Sequence, residues 1–179
     1  MEQGDESGSC EDSSGDHCGK EPRIPVEEDL VNLCKELNRL GAAYVVIGGF
    51  AIIYAGYGRM TMDIDLLVDA SLENERKVYE ALESLPDKAV KELEGGDVSK
   101  YQVCRIADEV LVDLMQHACG IDYHGAKEEI VVREIQGVPI PFAKPGLLWK
   151  MKARTDREKD YPDLVFLKEQ FPEQIPTGN

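Results

Sequence analysis

The 179-residue sequence has few basic side chains, few aromatic side chains and no long apolar run. Lysine and arginine total 20 against 35 aspartates and glutamates, which gives a formal net charge of -15. Because a phosphate backbone is bound by a basic surface, this imbalance disfavours DNA or another long nucleic acid as a partner. No stretch approaches the ~20 apolar residues that cross a bilayer, and the N-terminus lacks a basic, apolar leader. We therefore expect a soluble, cytoplasmic protein with no membrane partner.

The N-terminal segment lacks the residues that build a core. Residues 1–23 contain no Phe, Trp, Tyr or β-branched residue, so burial there cannot offset the entropy lost on ordering. This composition predicts a disordered acidic tail over residues 1–24 and a single domain over residues 25–179. Cys10, His17 and Cys18 are potential metal ligands within the tail, but their spacing matches no zinc pattern, which favours an unstructured tail without a metal.

Hydrophobic spacing and turn residues predict the remaining elements. We expect helices over residues 25–40, 71–85, 146–154 and 157–170, and strands over residues 44–47 and 62–68. Two further strands, 101–107 and 110–116, should be joined by a tight turn at Asp108 and Glu109. A hairpin is expected over residues 130–142, with Pro139 and Pro141 restricting its second strand to a sheet edge.

The stretch from Tyr44 to Val68 organises the chain. A β-branched run stops at Gly48-Gly49, where two residues without a Cβ let the backbone turn sharply or approach a ligand closely. An apolar segment follows over residues 50–55. If that segment is helical, its unpaired N–H groups point toward the glycines, which suits a phosphate. A Gly-Gly pair by itself is also typical of an ordinary turn.

Two aspartates alternate with apolar residues on the next strand. Asp63 and Asp65 should point to one face while Ile64, Leu66 and Val68 point to the core. Carboxylates held side by side raise each other's pKa unless a cation lies between them, and Mg²⁺ or Mn²⁺ is the hard, oxygen-preferring candidate. The alternative is a solvated strand face that carries two unrelated acids.

The whole stretch, with Arg59-x-Thr61-x-Asp63-Ile64-Asp65 after the glycines, resembles the signature of the nucleotidyltransferase superfamily that includes the polymerase β-like enzymes. It is most similar to the minimal bacterial and archaeal branch related to nucleotidyltransferase-type toxins of abortive-infection systems. The resemblance implies an α/β fold, with a small, twisted, mixed β-sheet and helices packed mainly on one side. It also implies ATP or another nucleoside triphosphate as the ligand.

The resemblance assigns roles to individual residues. It implies that Gly48 and Gly49 bind the triphosphate and that the paired aspartates bind Mg²⁺ or Mn²⁺. Arg59 and Thr61 are expected to bind the nucleotide. The family often carries Gly-Ser at the turn, so the serine hydroxyl contact to phosphate is absent from this chain.

A third acid lies in an otherwise apolar strand. Asp113 needs a cation, a hydrogen-bond donor or water if it is buried, and otherwise sits on a solvated sheet face. The resemblance implies a sharper role, since the family's third carboxylate comes from a later strand beside the aspartate pair. Asp63, Asp65 and Asp113 are then the predicted catalytic and metal-binding residues, and three such carboxylates can hold two metal ions.

Basic residues concentrate near the C-terminus. The alternative to a binding role is a solvated helix face. The patterns Leu147-Leu148-x-Lys150 and Arg157-x-Lys159-Asp160-x-x-Asp163 resemble the C-terminal segment of the same family. They imply that Lys150 neutralises triphosphate charge and that Lys159 pairs with Asp160 or Asp163. His117 and His124 are further residues that could touch substrate, although a surface or structural histidine is the more frequent outcome.

The resemblance as a whole implies an enzyme that transfers a nucleoside monophosphate from a triphosphate to an acceptor hydroxyl and releases pyrophosphate. The acceptor stays open between a tRNA end, a protein hydroxyl and a small molecule. Two alternatives stand beside this interpretation. One is a non-catalytic nucleotide-binding or regulatory module of the same fold, and the other is a protein-interaction domain in which Asp63 and Asp65 face solvent.

Overall fold

A computed structural model of the protein describes residues 21–155 and 157–176. The helices are α1 (Glu27–Arg39), α2 (Gly48–Tyr54), α3 (Leu72–Leu82), α4 (Asp97–Lys100), α5 (Tyr123–Ala126), α6 (Pro145–Ala153) and α7 (Tyr161–Gln170). The strands are β1 (Tyr44–Val46), β2 (Asp63–Val68), β3 (Cys104–Ala107), β4 (Leu111–Met115), β5 (His117–Ala118), β6 (Ile121–Asp122), β7 (Ile130–Ile135) and β8 (Val138–Ala143). Short 3₁₀ turns cover Ala89–Glu92, Lys127–Glu129, Glu158–Asp160 and Pro172–Gln174.

Six strands form one mixed sheet in the order β3-β4-β2-β1-β8-β7. Strand β2 lies antiparallel to β1 and parallel to β4, while β1 is parallel to β8. The outer pairs, β3 with β4 and β7 with β8, are antiparallel hairpins. The mixed α/β sheet expected from the sequence is confirmed, and it places β2 and β4 side by side near its centre.

The core forms around the central strands. Ile64, Leu66 and Val68 of β2 are buried, as their alternation with the aspartates predicts. Helix α1 buries one apolar face, including Leu30 and Leu37. Its first turn is fixed by Asp29, whose carboxylate accepts a hydrogen bond from the Val26 N–H at 2.7 Å. Removal of apolar side chains from water on both elements stabilises the frame that carries the carboxylates.

The prediction that the strand with Pro139 and Pro141 lies at an edge is wrong. Strand β8 lies between β1 and β7, and the edge strand on that side is β7. The prolines are tolerated because β1 is three residues long and pairs with β8 at one position only, Val46 with Phe142. A missing proline N–H therefore removes little from the ladder.

The prediction of a two-residue turn at Asp108 and Glu109 is also wrong, because the loop is one residue longer. Ala107 pairs with Leu111, so the loop between β3 and β4 contains three residues, 108–110. Asp108 is buried and its carboxylate accepts N–H groups from Asp87 at 3.0 Å and Ala89 at 2.9 Å. These bonds hold the wider loop, and the extra residue shifts the register of the hairpin.

At the N-terminal end, Arg23 forms an isolated bridge with Val110 and an ion pair with Asp29 at 2.7 Å. Residues 1–20, with Cys10, His17 and Cys18, lie outside the described residues, and the proposed division into tail and domain stays a prediction. Within residues 21–155 and 157–176, each helix is too short or too polar to cross a membrane.

Candidate metal and nucleotide site

A cleft of about 630 Å³ borders the carboxylate-bearing strands. One wall is formed by residues of β2, β3 and β4, and the facing wall by α6 and the segment that leads into α7. The first wall carries three aspartates, and the second carries Lys152, Arg157 and Lys159. The second wall also carries Asp160 and Asp163, so its exposed positive charge lies with Arg157 and Lys159, which suits a ligand that brings phosphate groups to this wall and a cation to the three aspartates.

The predicted acids come together in this cleft. Asp65 of β2 stands directly opposite Asp113 of the parallel strand β4, and Asp63 lies two residues earlier on the same face of β2. One carboxylate oxygen from each of the three residues lies within 4.8 Å of the others. Hard oxygen donors at this separation fit Mg²⁺ or Mn²⁺, the ions expected from the sequence.

This arrangement disfavours the ionised form of Asp65. Burial, together with the charges of Asp63 and Asp113, raises the pKa of Asp65 to about 6. The Gly49 N–H acts in the opposite direction through a 3.4 Å hydrogen bond to Asp65 Oδ2. An ionised trio is therefore unfavourable without a nearby positive charge.

Both glycines of the turn are pressed against the carboxylate strand and the residues before it. Gly48 has a φ of +61°, and a β-carbon there would lie 1.8 Å from Asp65 Oδ2. A β-carbon on Gly49 would lie 2.0 Å from Thr61 Oγ1. The Thr61 hydroxyl lies 3.2 Å from the Asp63 carbonyl oxygen and 3.4 Å from Asp63 Oδ1. Absence of side chains at the turn thus lets helix α2 approach β2 closely.

A buried ion-pair network forms the base of the opposite wall. Lys152 Nζ donates a hydrogen bond to Asp160 Oδ1 at 2.8 Å and forms an ion pair with Asp163 Oδ2 at 2.9 Å. Arg59 reaches across the cleft and also pairs with Asp163 Oδ2. Burial tends to raise the pKa of Asp160, but hydrogen bonds from Lys152, Thr155 and Arg157 lower it to about 2. The network ties α6 and α7 to the segment before β2.

Solved structures share this architecture. The lincosamide antibiotic adenylyltransferase LnuA, crystallised with lincomycin, matches 82% of this chain and 98% of its own length at 17% identity, with a TM-score of 0.54. TM1012 from Thermotoga maritima, assigned as a nucleotidyltransferase, matches 83% of this chain and 98% of its own length at 18% identity, with a TM-score of 0.50. The chain has the nucleotidyltransferase fold. Neither a protein-family model nor a curated protein sequence matches it.

The nucleotidyltransferase fold predicted from residues 44–68 is thereby confirmed. The placement near the toxin branch stays a prediction, as do the roles of the individual site residues. The structure brings six of the predicted residues to the cleft or to its wall, namely Gly48, Gly49, Arg59, Asp63, Asp65 and Asp113. Thr61 lies directly behind Gly49, buried in that wall.

Lys150 does not border the cleft of this nucleotidyltransferase fold. Its ammonium group pairs with Glu129 at 2.8 Å in a separate surface depression. Residues two apart on a helix point to roughly opposite sides, so α6 directs Lys152 into the cleft and Lys150 away from it. Lys159 is exposed at the cleft, and the pairing expected of it with Asp160 or Asp163 is made by Lys152 instead.

The histidines occupy different places. His117 is an exposed residue at the cleft, whereas His124 Nε2 lies 2.8 Å from Asp69 Oδ2 outside it. Sequence reasoning did not assign Arg105 to the site, although it lies at the cleft. Arg105 of β3 donates two hydrogen bonds to Asp113, from Nε to Oδ1 at 2.8 Å and from Nη2 to Oδ2 at 2.7 Å. Arg105 lies opposite Asp113 only in the observed register, with a three-residue loop between β3 and β4. The two-residue turn expected from the sequence would have placed Arg105 opposite Val112 instead.

Proposed function

We propose that this protein is a divalent-metal-dependent nucleotidyltransferase that moves a nucleoside monophosphate from a nucleoside triphosphate to an acceptor hydroxyl. The observation that carries the proposal is the convergence of Asp63, Asp65 and Asp113 within 4.8 Å in the main cleft of a chain with this fold. In balanced form, the acceptor oxygen bonds to the α-phosphorus, the bond from that phosphorus to the β-bridging oxygen breaks, pyrophosphate leaves and the hydroxyl proton passes to solvent.

The three aspartates are the residues that would hold Mg²⁺ or Mn²⁺. When bound, such an ion neutralises phosphate charge and lowers the pKa of a nearby hydroxyl. The chain itself supplies position and further charge. Arg157 and Lys159, both exposed on the opposite wall, offer positive charge to the phosphates, and the backbone of the Gly48-Gly49 turn borders the same cleft. Nucleotidyl transfer depends mainly on such positioning and charge neutralisation.

The acceptor hydroxyl belongs to one of three classes. LnuA is a lincosamide adenylyltransferase, crystallised with lincomycin, which supports a small-molecule hydroxyl as one class. RNA ends and protein hydroxyls are the other two. All three are separable in a single labelling experiment, because the products differ in size and in their sensitivity to ribonuclease and protease.

The test is incubation of the purified protein with each α-³²P-labelled nucleoside triphosphate, Mg²⁺ or Mn²⁺ and a cell lysate. The Asp63→Asn/Asp65→Asn double variant is run in parallel, with Asp87→Asn as a matched control because Asp87 is an exposed acid outside the cleft. We expect label on an RNA, protein or small-molecule fraction with wild type and Asp87→Asn, and none with the double variant. Label that is equal with all three proteins would overturn the proposal.

A second candidate is a nucleotide-binding module of the same fold without turnover. The observation in its favour is that Arg105, a cation of the chain itself, already pairs with Asp113 and lies 3.6 Å from Asp63. Metal-dependent binding of a nucleoside triphosphate with no label transferred to any fraction would favour this candidate over the enzyme.

A further inference from the structure

Arg105 lies beside two of the three carboxylates of the acidic wall, Asp63 and Asp113. It projects from the edge strand β3, directly opposite Asp113. Its guanidinium engages both carboxylate oxygens of Asp113, at 2.8 and 2.7 Å, and lies 3.6 Å from Asp63 Oδ2. A planar, two-pronged donor in this geometry is the strongest form of ion pair available to a carboxylate.

The two partners differ sharply in their access to water. The Asp113 side chain is 7% exposed, whereas the Arg105 side chain is 56% exposed. A buried carboxylate is costly without a cation. Because Arg105 already lies half in water, its own release costs little desolvation, and the cost of breaking the pair falls on Asp113, which then needs another cation. The pair is therefore stable while Asp113 has no other cation, and it is open to exchange when another cation arrives.

We propose that Arg105 is the resident counter-cation of the carboxylate trio and that a divalent ion displaces it on binding. This inference rests on the metal site of the proposed function. Both oxygens of Asp113 are already engaged by the guanidinium, and an ion held between Asp63 and Asp113 would lie within a few ångströms of a like charge. Arg105 and the ion therefore compete for the carboxylates. Without the ion, Arg105 offsets the repulsion among the three carboxylates. Its competition with the ion sets the affinity of the site for the ion.

The experiment compares wild type with Arg105→Gln, using Mn²⁺ alone as the probe. Arg39→Gln is the matched control, because Arg39 is 58% exposed, pairs with Glu36 and lies on α1 away from the cleft. The Mn²⁺ dissociation constant is read from the electron paramagnetic resonance signal of free Mn²⁺. The melting temperature is measured in a chelator and again in saturating Mn²⁺.

Removal of the competing cation should tighten Mn²⁺ binding by roughly three- to tenfold in Arg105→Gln, the range expected for loss of one partly exposed ion pair. In the chelator, Arg105→Gln should melt below wild type, because the carboxylates then repel each other without a cation. Saturating Mn²⁺ should raise its melting temperature by more than that of wild type. Arg39→Gln should bind Mn²⁺ as wild type does.

The outcomes separate this inference from the proposed function. Equal Mn²⁺ affinity in wild type and Arg105→Gln overturns the exchange and leaves the proposed function standing. Absence of Mn²⁺ binding in both proteins overturns the metal site, and with it both proposals. If Arg105→Gln does not fold, Arg105→Lys replaces it. Lysine keeps the charge but has no planar fork, so we expect a smaller gain in affinity, and a value equal to that of wild type would again overturn the exchange.

Discussion

Gly48 packs so closely on Asp65 that a β-carbon at position 48 would lie 1.8 Å from the carboxylate oxygen Oδ2. The glycine also has a φ of +61°, a conformation that side-chain-bearing residues rarely adopt. Two independent constraints therefore require glycine at this position. The contact also links the turn to the site, because the same backbone that closes the turn limits where the Asp65 carboxylate can lie.

Replacement of Gly48 by alanine should damage both stability and the carboxylate site. We expect Gly48→Ala to lose about 1–2 kcal/mol from the left-handed backbone alone, and a further amount from displacement of Asp65. Displacement by about 1 Å at a reacting centre lowers rates on the order of 10²-fold. The measurements are urea unfolding, Mn²⁺ affinity and the rate of nucleotidyl transfer.

Gly41→Ala is the control for this variant. Gly41 has a φ of +64°, but a β-carbon there meets nothing within 4 Å. It should therefore show the backbone cost alone, with wild-type Mn²⁺ affinity. If Gly48→Ala matches Gly41→Ala in all three measurements, the contact with Asp65 has no functional consequence.

Substitutions at Gly49 and Thr61 should have non-additive effects on the free energy of unfolding. A β-carbon on Gly49 would lie 2.0 Å from Oγ1 and 2.5 Å from Cβ of Thr61, so a serine at position 49 cannot be accommodated without a shift of Thr61. We expect Gly49→Ser to destabilise the fold by about 1–3 kcal/mol through overpacking. Removal of the opposing side chain in Gly49→Ser/Thr61→Gly should relieve the clash.

The double variant should thus be more stable than the sum of the two single changes predicts, which a double-mutant cycle in urea measures directly. Gly58→Ser serves as the control, since a β-carbon at Gly58 meets nothing within 4 Å. Simple additivity in the cycle would show that the two positions are not in steric conflict.

Local patterns were sufficient for most of the longer helices and strands and for the acidic face of β2. Alternation along residues 62–68 identified Ile64, Leu66 and Val68 as buried side chains of β2, and a lone acid in an apolar strand singled out Asp113. These signals need only the period of a strand. Arg105 could not be found in this way, because its partner depends on the length of the loop that precedes β4. That loop is fixed by buried Asp108 through bonds to residues about 20 positions away.

The same limit applies to the position of Lys150 on α6, which lies outside the cleft. Lys150 and Lys152 are equivalent by composition and lie two residues apart, so the decision depends on which side of α6 faces the cleft. That side is set by the packing of α6 against α2 and α7, which local sequence does not reveal. The family resemblance implied a phosphate-binding role for Lys150. In the structure, Lys152 is the lysine of α6 that borders the cleft, where it pairs with Asp160 and Asp163.

The two lysines should therefore respond differently to the same substitution. Lys152→Gln leaves Asp160 and Asp163 without their shared cation, and the loss of one partner from a buried ion pair typically costs 3–5 kcal/mol. Lys150→Gln removes only a half-exposed pair with Glu129 and should cost about 0.5 kcal/mol or less. Urea unfolding at pH 7 measures both, and equal losses would contradict the assignment of Lys152 to the network.

Asp160 predicts how stability should change in acid. Its pKa lies at about 2 in the folded protein against 3.8 ordinarily, because hydrogen bonds from Lys152, Thr155 and Arg157 outweigh the effect of burial. As pH falls, the unfolded chain takes up this proton before the folded protein does. The stabilisation is therefore present above about pH 4 and is lost as pH falls toward 2, by about 2 kcal/mol in total.

The test follows the free energy of unfolding of wild type and Asp160→Asn from pH 6 downward. The difference between the two proteins should be constant near pH 6 and should shrink as pH falls below about 4, since asparagine cannot bind the proton. Asp87→Asn, at an exposed position, should show no comparable narrowing. A difference that stays constant down to the lowest pH at which wild type folds would mean that Asp160 titrates alike in the folded and unfolded states, contrary to the contacts it makes with Lys152 and Arg157.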